Sequence, residues 1–388
     1  MKLARFGWLA LLALALAAPR ARAEENTIKI GALLAVTGPA SFLGAPEAKT
    51  LQMLVDEANA RGGIKGKKVE LIIKDTGASP EKAISFAKQL IEEEKVFAIL
   101  GPTTSGETMA IKALAEEAKT LLVSCAAAEV IVQPVAPHVF KTPQKDSDAV
   151  LMIFNELKAR KLNRIAVLTS NTGFGKAGKE QLEKLAPAHG IQIAMSEVYD
   201  KAATDLTAEA TKVKASGAQA VVNWSIEPAQ AIVIKNLRQI GLTIPIFQSH
   251  GFGNIAYAKA AGVAAEGVMF PLGRLPVASL LPDKHPQKKL LLAYQAAYQK
   301  RFGEEPSTFG GHAYDAYTVL AQAVEKVGAD REKVRAAIES TRGLVGTGGV
   351  FNFSATDHNG LGLDAFEMLT VKDGRFVPLA ALGKSGAM

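Results

Sequence analysis

Two neighbouring stretches, ILGPTTSGET (residues 99–108) and LLVSCAAAEV (residues 121–130), decide the fold predicted for this chain. Each begins with an apolar run typical of a buried strand, and the first passes through a glycine turn rich in hydroxyls into a helix. A strand, a turn, a helix and a second strand are typical of a parallel α/β sheet. The turn also directs backbone N–H groups, a helix N-terminus and the Ser105 hydroxyl to one place, which suits binding of a small anion.

Strands and helices alternate in the same way through the first two thirds of the chain. The pattern predicts strands at residues 27–36, 69–74, 96–100 and 121–124, with helices at 47–60, 80–93 and 107–119. It then repeats, with strands at 164–169, 191–198, 220–223 and 246–248, and helices at 176–185, 206–215 and 227–240. Ser79 is the expected N-cap of the second helix, with Pro80 at its first position. The fold class is therefore α/β, with two doubly wound parallel sheets that bind ligands at the carboxyl ends of their strands.

The last third of the chain is less regular and is expected to complete the two lobes already begun. It predicts helices at residues 286–302, 311–327 and 332–340, and strands at 348–353 and 366–371. The chain would cross between the lobes near residues 141–144, 269–272 and 351–355, and several parallel crossings make a hinge. The expected division is 24–142 plus 272–352 for the first lobe and 143–271 plus 353–388 for the second.

The N-terminus has the features of an export signal. Lys2 and Arg5 precede a short apolar run at residues 7–18, and Ala21-Arg22-Ala23 supplies a cleavage site of small residues. The mature chain should therefore begin near residue 24, with residues 1–23 removed. The run is too short to span a bilayer as an uncleaved anchor, and no cysteine at the cleavage site could take a lipid.

The composition is that of a two-domain globular protein, with 388 residues, 48% hydrophobic and 21% charged. The formal net charge is +7, and acidic and basic residues are interspersed, which argues against nucleic-acid binding. The single cysteine, Cys125, excludes an intrachain disulfide. The sequence has neither a G-x-S-x-G elbow nor an H-x-x-x-H pair, so we expect no enzyme activity, metal or cofactor.

Several stretches in a fixed order carry a resemblance to a known family. They are DEANARGGIKGKKVEL (56–71), KDTGASPEKA (74–83), ILGPTTSGET (99–108), VFKTPQKD (139–146), FGKAG (174–178) and GGHAYDAYTVLAQAV (310–324). The chain resembles the bacterial periplasmic leucine/isoleucine/valine-binding proteins, which are type I solute receptors of ATP-driven importers. The resemblance implies a monomeric periplasmic receptor that closes two lobes on a small carboxylate and presents it to ABC permease subunits in the inner membrane.

The resemblance also assigns binding residues in the first lobe. Ser105 falls where the family's hydroxyl meets the ligand carboxylate, although it could also cap the helix that follows. Ala126 falls where the backbone faces the ligand, and Ala128 falls where the family usually has threonine. Leu43 and Phe309 fall at apolar pocket positions.

In the second lobe, Phe174 falls where a tyrosine often contacts the ligand, and Trp224 falls near another aromatic of that lobe. These two residues, like Leu43 and Phe309, could instead belong to the core. His250 falls where amino-acid binders place the glutamate that meets the ligand ammonium.

The substitution at His250 bears on the class of ligand. A buried ammonium without a counter-charge is unfavourable by several kcal/mol. Loss of the glutamate, the threonine hydroxyl and the tyrosine hydroxyl therefore favours a carboxylate without an amine, either aromatic or branched. If the alignment slips by one residue, Gly251 takes this position and another acid, such as Glu227, could meet an ammonium. Both classes of ligand stay open at this point.

One motif favours a different function. Residues 173–178, GFGKAG, fit the G-x-G-x-x-G fingerprint of dinucleotide-dependent oxidoreductases, and Glu197 follows at a fitting distance. Three observations argue against this function: residues 170–172 lengthen the loop, Lys176 would crowd a pyrophosphate, and an exported protein has little access to nicotinamide cofactors. A plain glycine turn is favoured. An exported ligand-sensing receptor of the same fold is a further alternative.

Overall fold

The computed structural model describes residues 26–382, which form two lobes, each built around one large sheet. The first sheet has five parallel strands in the order β2-β1-β3-β4-β5. Its strands are β1 (Thr27–Leu34), β2 (Lys68–Asp75), β3 (Ala98–Leu100), β4 (Leu121–Ser124) and β5 (Val139–Lys141). The helices between them are α1 (Ser41–Ala60), α2 (Pro80–Lys88) and α3 (Ser105–Glu117).

The second sheet contains a parallel part in the order β7-β6-β8-β9-β10. Its strands are β6 (Arg164–Ser170), β7 (Gln192–Tyr199), β8 (Ala220–Trp224), β9 (Ile246–Gln248) and β10 (Met269–Leu272). The helices of this part are α4 (Asp146–Ala159), α5 (Gly173–Leu185), α6 (Thr207–Ala215), α7 (Ala229–Gln239) and α8 (Ile255–Ala261).

The C-terminal part of the chain contributes to both lobes. It contains helices α9 (Lys288–Phe302), α10 (Thr308–Val327) and α11 (Arg331–Glu339), then the short antiparallel pair β11 (Leu344–Val345) and β12 (Val350–Phe351). Leu320 of α10 and Val334 of α11 share one apolar core with Ile30 of β1. Strands β13 (Glu367–Lys372) and β14 (Arg375–Pro378) then extend the second sheet antiparallel, starting at β10. The residue boundaries of the lobes stay a prediction.

The observed topology confirms the predicted fold class of doubly wound parallel sheets. In each sheet the strand order reverses direction once, between β1 and β3 in the first lobe and between β6 and β8 in the second. Ligands of such sheets bind at the carboxyl ends of the strands beside this switch point. Ser105 follows β3, Phe174 follows β6 and Trp224 ends β8, so the topology places these residues at the two switch points.

Helix starts agree with the sequence at α2 and differ at α1. Ser79 Oγ accepts a hydrogen bond from Lys82 N (3.2 Å), and Pro80 is the first residue of α2, which confirms the predicted cap. Helix α1 begins at Ser41 rather than at residue 47, and Pro46 lies inside it. Because proline has no N–H, it cannot donate to the carbonyl of Phe42. That carbonyl instead accepts from Asn254 Nδ2 of the second lobe (3.4 Å).

Helix α4 was not predicted from the sequence. Its buried residues recur with the spacing of one helix face, which is a signal that the sequence contains: Ala149, Val150, Ile153, Phe154 and Leu157. The helix directly follows the crossing predicted at residues 141–144, where an irregular hinge was expected. The omission matters because Asp146, the first residue of α4, lies in the candidate site.

Candidate functional site

The Ser105 hydroxyl is available to a ligand because another residue caps its helix. Thr104 is the N-cap of α3 and forms a capping box with Glu107, so the alternative role of Ser105 as a cap is wrong. Ser105 Oγ accepts a hydrogen bond from Ala128 N (3.2 Å), and the residue is buried. A hydroxyl that accepts one hydrogen bond still has its proton to donate.

The backbone near Ala126 is held from inside the first lobe. Ala126 N donates to Ser124 Oγ (3.1 Å), and the carbonyl of Ala127 accepts from the Lys141 ammonium (2.9 Å). Lys141 is fully buried and also donates to the carbonyls of Pro143 (2.8 Å) and Gln144 (3.0 Å). The N–H groups of Ala126 and Ala128 are thus both engaged by serine hydroxyls.

Aromatic residues of the second lobe surround His250. Its ring centroid lies 5.3 Å from that of Phe174, 5.5 Å from that of Trp224 and 5.7 Å from that of Phe366. All four side chains are at least nine-tenths buried. Such edge-to-face arrangements stabilise the ring positions and exclude water. We call these four residues the aromatic cluster.

Two first-lobe residues assigned from the resemblance also reach this region. Leu43 of α1 and Phe309 of α10 belong to the same apolar cluster as Phe174, Trp224 and Phe366. Ala126 and Ala128 belong to a different apolar cluster, together with Leu33, Ile99 and Leu122 of the first sheet. The structure therefore brings Leu43, Phe309 and the aromatic cluster together. It joins Ser105 to Ala128 by a hydrogen bond. Their roles in binding stay a prediction.

Asp146, an acid that was not predicted from the sequence, lies next to His250. Its Oδ1 lies 3.6 Å from His250 Nε2, an ion-pair separation longer than a hydrogen bond, and its Oδ2 accepts from Glu129 N (3.1 Å). Burial raises the pKa of Asp146, against the opposing effect of the Lys141 ammonium. Burial likewise lowers the pKa of Lys141, and the Asp146 carboxylate opposes that shift. The opposite charges of Lys141 and Asp146 therefore partly offset the effect of burial on each group.

His250 is held in its neutral form. Burial lowers the pKa of His250 well below its ordinary value, and the positive charge of Lys141 lowers it further. A neutral imidazole has one N–H donor and one acceptor nitrogen. Within residues 26–382, neither ring nitrogen of His250 forms a hydrogen bond, and neither does Trp224 Nε1 or Asp146 Oδ1. Buried polar atoms without partners are unfavourable, so this group of atoms is suited to a polar ligand.

Glu227, the acid proposed if the alignment slips, is occupied elsewhere. Its Oε2 accepts hydrogen bonds from Ser225 Oγ (2.7 Å) and from Ile226 N (3.2 Å). The residue lines an outer cavity, whereas Asp146 lies next to His250. Asp146 is therefore better placed than Glu227 to meet a charge beside His250.

A cavity of about 580 Å³ lies between the lobes, outside the aromatic cluster. The first lobe contributes Phe42, Thr104, Ser105 and Gly106 to its wall, among others. The second lobe contributes segments 171–174, 201–204 and 226–232. Of the eight residues assigned from the resemblance, Ser105 and Phe174 line this cavity, which we call the outer chamber.

Packing accounts for the glycines of the G-x-G-x-x-G motif. A Cβ on Gly175 would overlap the carbonyl of Ser170, and one on Gly178 would overlap the indole of Trp224. A Cβ on Gly173 would lie 2.9 Å from the Cα and N atoms of Gly106 in the first lobe. The three glycines therefore let α5 approach its own strand, Trp224 and the other lobe, and no phosphate is needed to explain them.

Comparison with known families identifies the protein's class. The family model described as periplasmic binding protein matches residues 27–375. The chain belongs to this family. The resemblance to leucine/isoleucine/valine-binding proteins is confirmed, and the protein is a solute-binding protein of the periplasmic type. Among the described residues no helix is long and apolar enough to cross a membrane.

Three relatives show the range of similarity. The leucine-, isoleucine-, valine-, threonine- and alanine-binding protein of Pseudomonas aeruginosa is 28% identical over 319 residues, which cover 81% of this chain and 83% of that protein. An extracellular ligand-binding receptor from Rhodopseudomonas palustris is 26% identical, with a TM-score of 0.85 and coverage of 90% and 99%. The branched-chain amino acid transporter substrate-binding protein of Streptococcus pneumoniae, solved with isoleucine, is 27% identical, with a TM-score of 0.79 and coverage of 90% and 97%.

Proposed function

We propose that this protein is the periplasmic receptor of an ABC importer and closes its two lobes on a small carboxylate that lacks an α-amino group. Ligand contacts from both lobes exist together only in the closed arrangement, so binding shifts the protein toward that state. The closed, loaded form would then dock on the permease subunits in the inner membrane as a monomer. The protein binds its ligand and does not convert it.

The proposed ligand class rests on His250 and on Asp146, which lies next to it. Where amino-acid binders of this type offer a glutamate, this site offers a neutral imidazole. Asp146, the acid beside His250, has its charge opposed by that of Lys141. The remaining polar groups include three donors: the Ser105 hydroxyl, Trp224 Nε1–H and the N–H of His250. Donors of this kind suit the oxygens of a carboxylate.

An α-amino acid is the second candidate ligand, because Asp146 could meet its ammonium. The Streptococcus pneumoniae relative binds isoleucine, and the Pseudomonas aeruginosa relative is named for five amino acids. The substitution Asp146→Asn separates the two classes, since asparagine keeps an acceptor for Glu129 N and removes the charge. Affinity for an amine-free acid should stay the same or rise in this variant. A loss of tenfold or more for the native ligand would favour the amino acid.

Native mass spectrometry of the purified protein tests the function directly. We expect a bound mass that is released on unfolding, is identified as a carboxylic acid and is recovered unchanged after incubation. Release of a chemically altered compound would indicate an enzyme. A sensing receptor of the same fold would bind equally well, but it would not associate with an importer's permease in a reconstituted transport assay.

We also propose that residues 1–23 are a cleaved signal peptide. They lie outside the described residues, and the proposal rests on Lys2, Arg5 and the Ala21-Arg22-Ala23 site. N-terminal sequencing of exported protein should find a chain that starts near Glu24. An intact Met1 in that material would contradict the proposal.

A further inference from the structure

The outer chamber is larger than a small carboxylate requires. An apolar cavity of about 150 Å³ is enough to hold benzene. The chamber has about 580 Å³, within the range of pockets that enclose drug-sized ligands. Ser105, which the proposed function assigns to the ligand carboxylate, lies in its wall, so a ligand held there has room to extend outward.

The walls of the chamber are mainly apolar and come from both lobes. Phe42 and Pro80 of the first lobe contribute apolar surface, together with Phe174, Ile226 and Ile232 of the second. The rest of the apolar lining consists of two prolines, Pro39 and Pro228, and of small side chains, namely Ala40, Ala78, Ala202, Ala203, Ala229, Ala231 and Ala260. Small residues leave space instead of filling it, and apolar walls favour an apolar occupant by the area that it removes from water.

The charged groups at the chamber do not oppose such an occupant. Glu227 is held by Ser225 and the backbone of Ile226, as described above. Lys235 lies half-buried at the wall and forms no hydrogen bond or ion pair with residues 26–382, and its aliphatic stem can lie along an apolar body while its ammonium reaches water. Lys201 also lines the chamber and is exposed, so its ammonium reaches water as well.

We infer that the ligand is an elongated carboxylic acid, with its carboxylate at Ser105 and an apolar body, longer than one ring or one branched chain, that fills the outer chamber. This inference rests on the proposed function for the position of the head group. It assigns the chamber as a subsite that selects ligands by length. An occupant of the chamber touches both lobes, so its body would also favour the closed state.

A series of acids of increasing length tests the inference by calorimetry. We expect affinity to rise along benzoate, phenylacetate, phenylpropionate and phenylbutyrate, by about fourfold for each methylene buried. The substitution Ala203→Trp should abolish this increase and affect benzoate least, because half-buried Ala203 belongs to the second-lobe wall of the chamber and Ser105 to the first-lobe wall. Ala256→Trp is the control, since Ala256 is exposed and does not line the chamber.

The outcomes separate this inference from the proposed function. In the unmodified protein, an affinity that stays the same or falls as the acids lengthen would contradict the inference that the chamber selects ligands by length. Binding of benzoate would still support a carboxylate receptor. Failure of every acid to bind would overturn both. An equal loss for all acids in Ala203→Trp would show that the tryptophan disturbs the head-group site, and it would also count against the assignment.

Discussion

The backbones of Gly106 and Gly173 meet across the cleft, one at the start of α3 in the first lobe and the other at the start of α5 in the second. A methyl group on Gly173 would lie 2.9 Å from the Cα and N atoms of Gly106, whereas a methyl group on Gly106 would have no heavy atom within 4 Å. A Cβ contact shorter than 3.0 Å forces some atoms to move. The observed arrangement of the lobes therefore has room for a side chain at Gly106 and none at Gly173.

This asymmetry predicts that Gly173→Ala weakens ligand binding and Gly106→Ala does not. Alanine at Gly173 favours the helix and should leave the stability of the second lobe intact. It should hinder closure, with a loss of tenfold or more in affinity measured by calorimetry. Gly106→Ala is the matched control, because the same methyl group meets open space. Equal affinities in the two variants would show that the lobes do not close through this contact.

Ser105→Ala should weaken binding of the native ligand by about 1.5–3 kcal/mol, as expected for a hydrogen bond to a charged group. That corresponds to a tenfold to hundredfold loss of affinity. The variant keeps the cap of α3, which Thr104 supplies, but it removes the acceptor of Ala128 N, so its stability should be measured alongside its affinity. Ser340→Ala, at an exposed position on the first lobe, serves as the control. Unchanged affinity in Ser105→Ala would remove this residue from the site.

The burial of neutral His250 predicts a pH dependence of folding. The pKa of His250 is depressed in the folded state, so the stability gained from the neutral form is present above about pH 6.5. It is lost as the pH falls, because the unfolded chain takes up the proton. Relative to His250→Gln, the ligand-free protein should lose up to about 1.4 kcal/mol for each pH unit below that value. Chemical denaturation between pH 7.5 and pH 5 measures this difference.

The exposed residue His189 offers a control for the same experiment. His189→Gln is the matched substitution at an exposed position, and its profile shows what a change of histidine to glutamine does by itself. If His250→Gln keeps the unmodified profile, His250 is not buried as a neutral group, and its role beside Asp146 must be revised.

The sequence predicted the fold better than the details of the site. Parallel strands separated by helices, and the cap at Ser79, follow from local patterns of apolar and turn residues that need no tertiary information. Thr104 and Ser105 are adjacent hydroxyl residues at the start of the same helix, and only the observed hydrogen bonds show which one caps it. Local propensity could not decide between them.

Asp146 shows a second limit of sequence reasoning. It lies more than 100 positions from His250 along the chain, and the two meet because α4 begins where the chain enters the second lobe. The helical spacing within α4 could have been recognised, but the contact between Asp146 and His250 depends on how the chain crosses the hinge. The glycines of residues 173–178 match the dinucleotide fingerprint although they serve packing. Close packing on Trp224 and close approach to a phosphate both require glycine, so the sequence alone does not separate the two.

A thermal-shift comparison tests whether the ligand lacks an α-amino group. A ligand at about 100 times its dissociation constant stabilises the folded state by about 2.7 kcal/mol, which should raise the unfolding midpoint by several degrees. Leucine, isoleucine, valine and phenylalanine would be compared with benzoate, phenylacetate and branched-chain acids and oxo acids that lack the amine. We expect the amine-free acids to raise the unfolding midpoint and the amino acids to leave it unchanged. Stabilisation by leucine but not by its oxo acid would contradict this expectation, and would assign Asp146 to a ligand ammonium.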